Sequence, residues 1–370
     1  MLAFLLDKEY QLLYFFWFIS IRNELVFMAK GRETFRKVIT SPELIAQINK
    51  ENVKLMERFL KNFATKRSPK SVNVYRSNLH IFFVWNLLEN SNLFFIDLKK
   101  YMLLDFFDYC CTELKWSSAR YSQMHSCLSS FSTFIEDIYD EQHPNFRNLL
   151  PKIEKLPKEA ARKKSVFSKE ELDCLMTKLG EENRIQEQCL LALMMSSGSR
   201  ASELSRFTVD IIDENHTAFE GLFLETTEEV KVKGRGVNGK SLIRYILKDT
   251  FLPYYKKWLP IREKIMNENN QLHNHIFITK NGEPASVGTF RNWVERWNDY
   301  VNKPFYIHSI RHWYTTHLVS TIGLEQELVQ DIIGWTSSDM VAIYNDATAK
   351  DRKWKGLEKL KIAMENENME

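Results

Sequence analysis

The segment S-G-S-R-A-S-E-L (197–204) combines residue types that suit a phosphate group. Gly198 predicts the end of one helix and Arg200 the start of the next. Amide groups at a helix N-terminus have no partner within the helix, so together with the planar guanidinium of Arg200 they favour phosphate binding. Glu203 follows one turn later and is placed to hold Arg200. Taken alone, a surface arginine after a helix cap explains the segment more simply.

Two clusters of basic residues lie downstream. The segment K-V-K-G-R-G (231–236) predicts a hairpin tip, from which a lysine is able to donate a proton to a leaving oxygen; charge at a tip also keeps a sheet edge soluble. The segment H-S-I-R-H (308–312) places His308 and Arg311 on one face of a helix. At a phosphate they would supply proton transfer and an electrostatic clamp. A solvated basic helix face gives the same H-x-x-R pattern.

The fourth cluster is Gly334-Trp335, with Tyr344 nine residues after the tryptophan. A tyrosine hydroxyl is able to act as a covalent nucleophile. Its ordinary pKa of about 10 requires another group to take up the proton at neutral pH. Most tyrosines are structural, so Tyr344 becomes a candidate nucleophile only in combination with the other clusters.

The order and spacing of these clusters resemble the tyrosine recombinases, also called phage integrases. The shared pattern is S-G-x-R-x-x-E-L, a hairpin lysine, H-x-x-R-H, then G-W and a tyrosine nine residues on. The segment before them, with Y-x-x-x-L at Tyr75 and Leu79, resembles the core-binding domain of the family. The resemblance covers the chain from residue 40 onward.

This resemblance implies DNA strand transfer in which Tyr344 attacks the scissile phosphate, leaving a 3′-phosphotyrosyl link and a free 5′-hydroxyl. Arg200 and Arg311 would hold the non-bridging oxygens and stabilise the transition state. Because two transesterifications conserve the bond energy, neither ATP nor a metal ion nor another cofactor is expected. The sequence agrees, since it has no P-loop and no convincing acidic metal cluster.

The resemblance assigns proton transfer and packing to three further residues. Lys233 would protonate the 5′ leaving oxygen, with Lys231 and Lys240 as alternatives. His308 would take up the tyrosine proton. Trp335 stands where histidine is commoner in the family and would pack and hydrogen-bond near the phosphate. An indole cannot shuttle a proton, so more of the proton transfer falls on His308 and the lysine.

Hydrophobic periodicity predicts a mainly α-helical chain with a small antiparallel β-sheet. Residues 42–142 read as helices, one of them starting at Ser68-Pro69. The aromatic residues at helical spacing within them, such as Phe82, Phe83 and Phe131, are predicted to be core. A capping box at Ser168 and Glu171 opens a second helical region, in which residues 207–248 predict short strands around a Gly-rich turn. By resemblance, the fold is a helical (SAM-like) core-binding domain followed by a mixed α/β catalytic domain.

The expected order is an N-terminal extension (1–41), a core-binding domain (42–150), a basic linker (151–166) and a catalytic domain (167–370). The linker contains R-K-K (162–164), which suits a phosphate backbone or a solvated connection. The stretch Lys350–Met364 reads as an amphipathic helix. The resemblance suggests that this helix docks on a neighbouring protomer, and packing on its own domain is the alternative.

Charge is distributed unevenly. Residues 28–165 carry 23 Lys and Arg against 15 Asp and Glu, whereas residues 166–370 carry 26 against 30. The excess of positive charge therefore makes the first half the better candidate for binding a polyanion. A basic helical domain that binds no nucleic acid has a similar excess. Five cysteines without a C-x-x-C pair predict neither a disulfide framework nor a zinc cluster, and favour a reducing cytoplasm.

The first 27 residues are unusual because residues 10–21 are largely apolar and aromatic. A spanning helix needs about 20 apolar residues, so this stretch is too short, and the acidic and basic residues before it do not form a signal-peptide start. Met28 opens a more ordinary N-terminus, which predicts that residues 1–27 are an upstream extension of the reading frame. A hydrophobic helix packed on the protein is the alternative. Little chain precedes residue 40 and it is apolar, so we expect the arm-binding domain of the family to be missing.

The expected partner is double-stranded DNA, clamped between the two domains, with a homo-tetramer on paired sites and no membrane. Accessory proteins that bend DNA are compatible with this assembly, and the expected location is the cytoplasmic nucleoid. The expected task is integration or excision of a mobile element, or resolution of replicon dimers. Three alternatives remain: a nicking enzyme similar to type IB topoisomerases, a DNA-binding regulator without catalysis, and a membrane-tethered protein.

Overall fold

The computed structural model describes residues 24–29, 32–157, 167–232 and 240–335. Contacts divide these residues into two units, the second of which begins at residue 167. Both units are mainly helical and contain small antiparallel sheets, which confirms the predicted fold class. The predicted nucleophile Tyr344, the hairpin Lys233, the apolar stretch 10–21 and the predicted C-terminal helix lie outside the described residues.

The described part of the first unit is a β-hairpin followed by helices. Strands β1 (Glu24–Ala29) and β2 (Arg32–Lys37) pair antiparallel, with Glu24 opposite Lys37. The α-helices are α1 (Pro42–Ala46), α2 (Lys50–Ala64), α3 (Pro69–Glu89), α4 (Lys100–Thr112) and α5 (Ser118–Ile138), with 3₁₀ turns at Phe95–Asp97 and Leu150–Lys152.

Local sequence sets where the helices of this unit start. The Ser68 side chain accepts a hydrogen bond from the Ser71 amide, and Pro69 occupies the first helical position, so the predicted start of α3 is confirmed. Ser117 caps α5 in the same way, accepting from the Arg120 amide. Each cap satisfies an amide group that the first helical turn leaves without a partner.

The core of the first unit is built from aromatic side chains. Phe82, Phe106 and Phe131 are fully buried, and the rings of Phe82 and Phe106 meet edge to face with centroids 4.9 Å apart. Burying each such side chain stabilises the fold by roughly 1.5–3 kcal/mol. The prediction that the aromatic residues are core is therefore confirmed.

The core of the first unit extends to Ile153, which lies within the predicted linker (151–166). Ile153 is 3% exposed and belongs to the aromatic core. The Nε2 atom of His125 lies 2.9 Å from the Leu150 carbonyl oxygen and 3.2 Å from that of Ile153, so Nε2 donates and carries the proton. Burial lowers the pKa of His125, which favours this neutral form. Ile153, with partly buried Leu156 beside the same core, therefore packs with the first unit.

The described part of the second unit is helical around a small sheet. Its α-helices are α6 (Lys169–Glu181), α7 (Ile185–Ser197), α8 (Ala201–Leu204), α9 (Lys248–Glu268), α10 (Val287–Trp297), α11 (Ile307–Thr316) and α12 (Gln326–Ile333), with a π-helix at His317–Ile322. Its strands are β3 (Thr217–Ala218), β4 (Phe223–Glu225), β5 (Val230–Val232), β6 (Lys240–Leu242) and β7 (Tyr245–Leu247).

Helix α7 is the centre of the second unit. Every residue from Glu187 to Ser197 is buried, because α6, α9 and α11 pack around it. A helix that is apolar on all sides is one that other elements surround. The capping box predicted before α6 is present, with the Ser168 hydroxyl accepting from the Glu171 amide and the Glu171 carboxylate accepting from the Ser168 amide.

The strands form two antiparallel groups. Strands β3, β4 and β7 make a three-stranded sheet, with Phe223 opposite Leu247. Strands β5 and β6 form a hairpin in which Val232 pairs with Lys240, so residues 233–239 connect its strands. The predicted hairpin is therefore confirmed. In the residues that the structure describes, no helix combines the length and the apolarity that crossing a membrane requires.

Candidate active site

The turn between α7 and α8 positions Arg200. Gly198 ends α7 in the left-handed conformation, with φ of 56°. A Cβ atom on this residue would lie 2.4 Å from Cδ1 of Tyr314, so both the backbone and the packing require glycine. Arg200 is the N-cap residue of α8, where its main chain leaves the turn and enters the helix. The predicted helix break and restart are confirmed.

Glu203 is the fully buried carboxylate at the centre of the site. Its Oε1 accepts from Nη1 of Arg200 at 2.8 Å, and its Oε2 accepts from the Arg200 backbone amide at 3.0 Å. Burial acts to raise the pKa of Glu203. The positive charge of Arg244 and the hydrogen bonds from Arg200 outweigh it, so the pKa lies below its ordinary value. Glu203 is therefore ionised at neutral pH and orients Arg200.

Arg311 approaches the same turn from α11. It is 2% exposed, and its Nη1 donates to the Gly198 carbonyl oxygen at 2.6 Å. The same nitrogen lies 3.9 Å from Oε2 of Glu203. Arg200 and Arg311, predicted from separate motifs, therefore contact one carboxylate.

Trp335 follows α12 and covers Arg311. Its ring centroid is 5.3 Å from Cζ of Arg311, within the range of a cation–π contact. Gly334 precedes it with φ of 73°, and a Cβ atom there would lie 2.4 Å from Cδ1 of Leu242. The Trp335 amide donates to the Gln330 carbonyl oxygen at 2.9 Å, which fixes the chain as it leaves the helix.

His308 lies three residues before Arg311 on α11, as predicted, and its side chain is exposed whereas Arg311 is buried. The ring of His312 stands perpendicular to that of His308, with centroids 4.9 Å apart. The exposed imidazole of His308 therefore contacts the His312 ring on the solvent side of α11.

The hairpin lysines are only partly described. Lys231 and Lys240 are exposed on β5 and β6, and Lys233 directly follows the last residue of β5. The Lys231 carbonyl oxygen accepts from Nη1 of Arg206 at 2.6 Å, which ties the hairpin to the chain after α8. The assignment of Lys233 and Tyr344 to the site stays a prediction.

Arg244 is a residue of this region that the motifs did not reveal. It directly precedes β7, is 1% exposed, and its Nη2 lies 4.0 Å from Oε2 of Glu203. Burial lowers the pKa of Arg244, and the Glu203 carboxylate opposes this shift. The signal in the sequence was a single arginine inside the otherwise apolar run L-I-R-Y-I-L (242–247).

Among the described residues, three guanidinium groups therefore lie within 4.0 Å of one buried carboxylate, that of Glu203. Such a cluster attracts an anion and stabilises further negative charge that develops on it. The described geometry thus brings Arg200, Arg244 and Arg311 around Glu203, with the exposed imidazole of His308 one helical turn before Arg311.

Comparison with known proteins identifies the class. The model of the phage integrase family matches residues 165–351, half of the chain. The chain therefore belongs to the phage integrase family, the tyrosine recombinases.

Individual relatives agree with this assignment. A tyrosine recombinase of Thermosipho africanus (strain TCF52B) is 27% identical over 237 residues, which cover 60% of this chain and 70% of the relative. Tyrosine recombinase XerC of Bacillus subtilis (strain 168) is 24% identical over 233 residues, which cover 60% and 68%.

Solved structures share the fold. XerH recombinase bound to a palindromic difH substrate matches with a TM-score of 0.57 and 18% identity, over 77% of this chain and 80% of that chain. A lambda integrase tetramer bound to a Holliday junction matches with a TM-score of 0.57 and 15% identity, over 79% and 76%.

Proposed function

We propose that this protein cuts and rejoins DNA at specific sites through a covalent bond to Tyr344. The observation that carries the proposal is the shared contact of Arg200 and Arg311 with Glu203, at 2.8 Å and 3.9 Å. This carboxylate orients two arginines that the sequence places 111 positions apart, and the family to which the chain belongs catalyses DNA recombination.

The proposed reaction is a pair of transesterifications. The Tyr344 oxygen bonds to the scissile phosphorus while the bond to the 5′ oxygen breaks, and Lys233 gives its proton to that oxygen. A 5′-hydroxyl of the partner strand then attacks the phosphotyrosyl bond and releases the tyrosine. Each step breaks one phosphoester bond and forms another, so the chemistry is balanced without ATP.

Arg200 and Arg311 have different parts in this scheme. The Arg200 side chain is 23% exposed, and Glu203 holds it through Nη1, so the carboxylate orients a guanidinium group that a DNA phosphate is able to reach. Arg311 is buried and anchored on the Gly198 carbonyl, so it presents a fixed positive charge. Fixed donors and charges stabilise the pentacoordinate transition state without reorganisation during the reaction.

His308 and Trp335 complete the proposed group. The exposure of His308 makes its imidazole accessible to the tyrosine proton. The contact of the Trp335 ring with Arg311 keeps water from this guanidinium, which strengthens its attraction for a phosphate. Buried Tyr314 is an unsuitable nucleophile, because burial raises its pKa and encloses its ring against Gly198.

The proposed partner is double-stranded DNA. In this proposal the first unit holds the DNA as a core-binding domain (42–150), and the second unit holds it as a catalytic domain (167–370). The basic segment 151–166 also contacts the DNA. The solved structures that share the fold include XerH bound to difH and a lambda integrase tetramer bound to a Holliday junction. By this likeness we propose a homo-tetramer on two paired sites, in the cytoplasm with the nucleoid, with DNA-bending accessory proteins as compatible partners. Integration or excision of a mobile element and resolution of replicon dimers both use this reaction.

Covalent trapping tests the chemistry. The protein is incubated in EDTA with nicked duplexes tiled from the DNA that flanks its own gene. A nick near the cleavage site releases a short strand, so the attacking 5′-hydroxyl is lost and the phosphotyrosyl adduct accumulates. We expect a detergent-resistant protein–DNA species whose peptide map places the nucleotide on Tyr344.

Two variants make the trapping experiment specific. Tyr344→Phe should bind the same duplex without forming the adduct, whereas Tyr306→Phe removes an exposed hydroxyl near His308 and should retain it. An adduct that persists in Tyr344→Phe would refute the assignment of the nucleophile. Tight binding without any adduct in the unmodified protein would favour the regulator without catalysis.

A plasmid assay separates recombination from the topoisomerase alternative. A supercoiled plasmid with two copies of the trapped site should yield deletion or inversion products. Relaxed topoisomers without recombinant products would favour a nicking and swivelling enzyme. Comparing sites on one plasmid with sites on two plasmids then distinguishes resolution and excision from integration.

A further inference from the structure

The Arg244 side chain donates hydrogen bonds to the C-terminal ends of two separate helices. Its Nη1 donates to the Ile333 carbonyl oxygen at 2.9 Å, and its Nη2 donates to the Ser197 carbonyl oxygen at 3.0 Å. Ser197 is the last residue of α7 and Ile333 the last residue of α12. The carbonyl groups at a helix C-terminus lack partners within the helix and carry partial negative charge, so one buried guanidinium satisfies both ends.

Each of these helix ends leads directly into a proposed site residue. Ser197 is followed by Gly198 and the turn that carries Arg200, and Nη2 of Arg244 also contacts Oγ of Ser199 in this turn at 3.3 Å. Ile333 is followed by Gly334 and Trp335. At Gly334 a Cβ atom would lie 3.3 Å from Nη1 of Arg244, so the guanidinium packs closely under this second glycine turn.

We propose that Arg244 is a positioning residue for DNA cleavage: it fixes the two glycine turns that carry Arg200 and Trp335 and adds a buried positive charge to the phosphate site. This inference rests on the proposed function, because it assigns Arg244 a part in the same reaction. Arg244 donates to protein carbonyl groups, so it acts on the phosphate through its charge and through the residues that it holds.

The main chain of Arg244 is itself fixed. Its amide donates to Oγ1 of Thr226 at 3.0 Å, and its carbonyl oxygen accepts from the Thr226 amide at 3.0 Å. Both residues are buried. This pair places the start of the Arg244 side chain, so the guanidinium reaches the two helix ends from a rigid position.

The charge of Arg244 is close to that of Arg311. Nη2 of Arg244 and Nη1 of Arg311 lie 4.0 Å and 3.9 Å from the same oxygen, Oε2 of Glu203. Nη1 of Arg200 lies 2.8 Å from the other oxygen, Oε1, so the three guanidinium groups are close together around one carboxylate. Because screening is weak in a buried site, the charge of Arg244 contributes to the potential that a scissile phosphate experiences.

The test uses a pair of variants of the full-length protein, Arg244→Met and Arg244→Lys. Methionine removes the charge and both hydrogen bonds, whereas lysine keeps the charge but has no planar fork to reach two carbonyl groups. Single-turnover formation of the covalent adduct is measured on two nicked duplexes, one with the natural phosphodiester and one with a neutral methylphosphonate at the scissile position.

We expect Arg244→Met to slow adduct formation on the phosphodiester by about 100-fold, the loss typical when reacting groups or charges are misplaced. On the uncharged methylphosphonate, the rate of adduct formation should fall by at most about 10-fold. This substrate lacks the negative charge that Arg244 stabilises in the phosphodiester. Arg244→Lys should fall between Arg244→Met and the unmodified protein on the phosphodiester.

Arg262→Lys is the matched control. Arg262 is also buried in the second unit and donates to carbonyl groups, from Nε to His275 at 2.7 Å and from Nη2 to His273 at 2.8 Å, but these lie outside the proposed site. Its replacement should alter thermal unfolding without changing the ratio of rates on the two duplexes.

The outcomes separate this inference from the function on which it rests. An unmodified protein without any adduct would overturn the proposed function, and this inference with it. An unmodified protein that forms the adduct, together with folded Arg244 variants that match its rate, would overturn the role of Arg244 alone. An equal loss on both duplexes would overturn the contribution of the Arg244 charge and restrict its role to holding the two turns. If Arg244→Met is unfolded at the assay temperature, Arg244→Lys decides between these results.

Discussion

Arg311 donates a 2.6 Å hydrogen bond from Nη1 to the carbonyl oxygen of Gly198, although 113 positions separate the two residues in the sequence. The bond joins the helix that carries H-x-x-R to the turn that begins with S-G-S-R. Because Gly198 occupies a left-handed conformation, its carbonyl group faces this arginine at the end of α7. The assembly of the site therefore depends on this turn.

Arg200→Lys should block cleavage without unfolding the protein. The Arg200 side chain is partly exposed, so its replacement leaves the core intact, but lysine cannot both contact Glu203 and present a fork to a phosphate. We expect a loss of about 100- to 1000-fold in single-turnover cleavage, the range for one missing transition-state donor. Arg296→Lys, at a half-exposed arginine paired with Glu187, serves as the control and should cleave normally.

Gly198→Ala should destabilise the second unit more than Gly221→Ala does. Both glycines have positive φ, 56° and 86°, but a Cβ atom at Gly198 would meet the Tyr314 ring whereas one at Gly221 would meet nothing within 4 Å. The backbone strain costs about 1–2 kcal/mol at either position, and the clash adds about 1–3 kcal/mol at Gly198. Urea unfolding measures both free energies, and equal losses would contradict the packing argument.

Glu203 should make the protein sensitive to acid. The pKa of its carboxyl group is lowered in the folded state, so its contribution to stability is fully present above the ordinary pKa of a glutamate and is lost as the pH falls through the folded value. Thermal unfolding followed from pH 7 down to pH 3 should therefore show a steep acid decline, which Glu203→Gln reduces. The same substitution at exposed Glu268 should leave the decline unchanged. A parallel decline in Glu203→Gln and the unmodified protein would rule out this carboxylate as its source.

Cleavage of DNA substrates with a 5′-bridging sulfur should identify the lysine that protonates the leaving oxygen. A thiolate leaves without a proton, so such a substrate bypasses the general acid. Lys233→Ala should cleave ordinary DNA about 100-fold or more slowly and recover on the sulfur substrate, in the range for general acid catalysis. Lys231→Ala and Lys240→Ala, which flank the same hairpin, should show neither effect. If Lys231→Ala or Lys240→Ala recovers on the sulfur substrate instead, that lysine is the general acid.

Much of the local structure followed from short-range rules. The Ser68-Pro69 start, the capping box at Ser168 and the helix break at Gly198 each depend on a side chain and the backbone within four residues of it. Such contacts are written in the sequence, so they were predicted. The burial of Ile153 did not follow from such rules, because it depends on a core that is assembled from distant helices.

The sequence by itself determined which residue types were present for phosphate chemistry and which of them lie one helical turn apart, such as His308 and Arg311. Only the tertiary structure decided that Arg200 and Arg311 contact one buried carboxylate, and that Arg244 bridges the ends of α7 and α12. The physical reason is that a motif fixes spacing along a chain, whereas a buried charge is tolerated only where partners from other segments surround it. Arg244 had no motif of its own, so its role became apparent only from the carbonyl groups that it contacts.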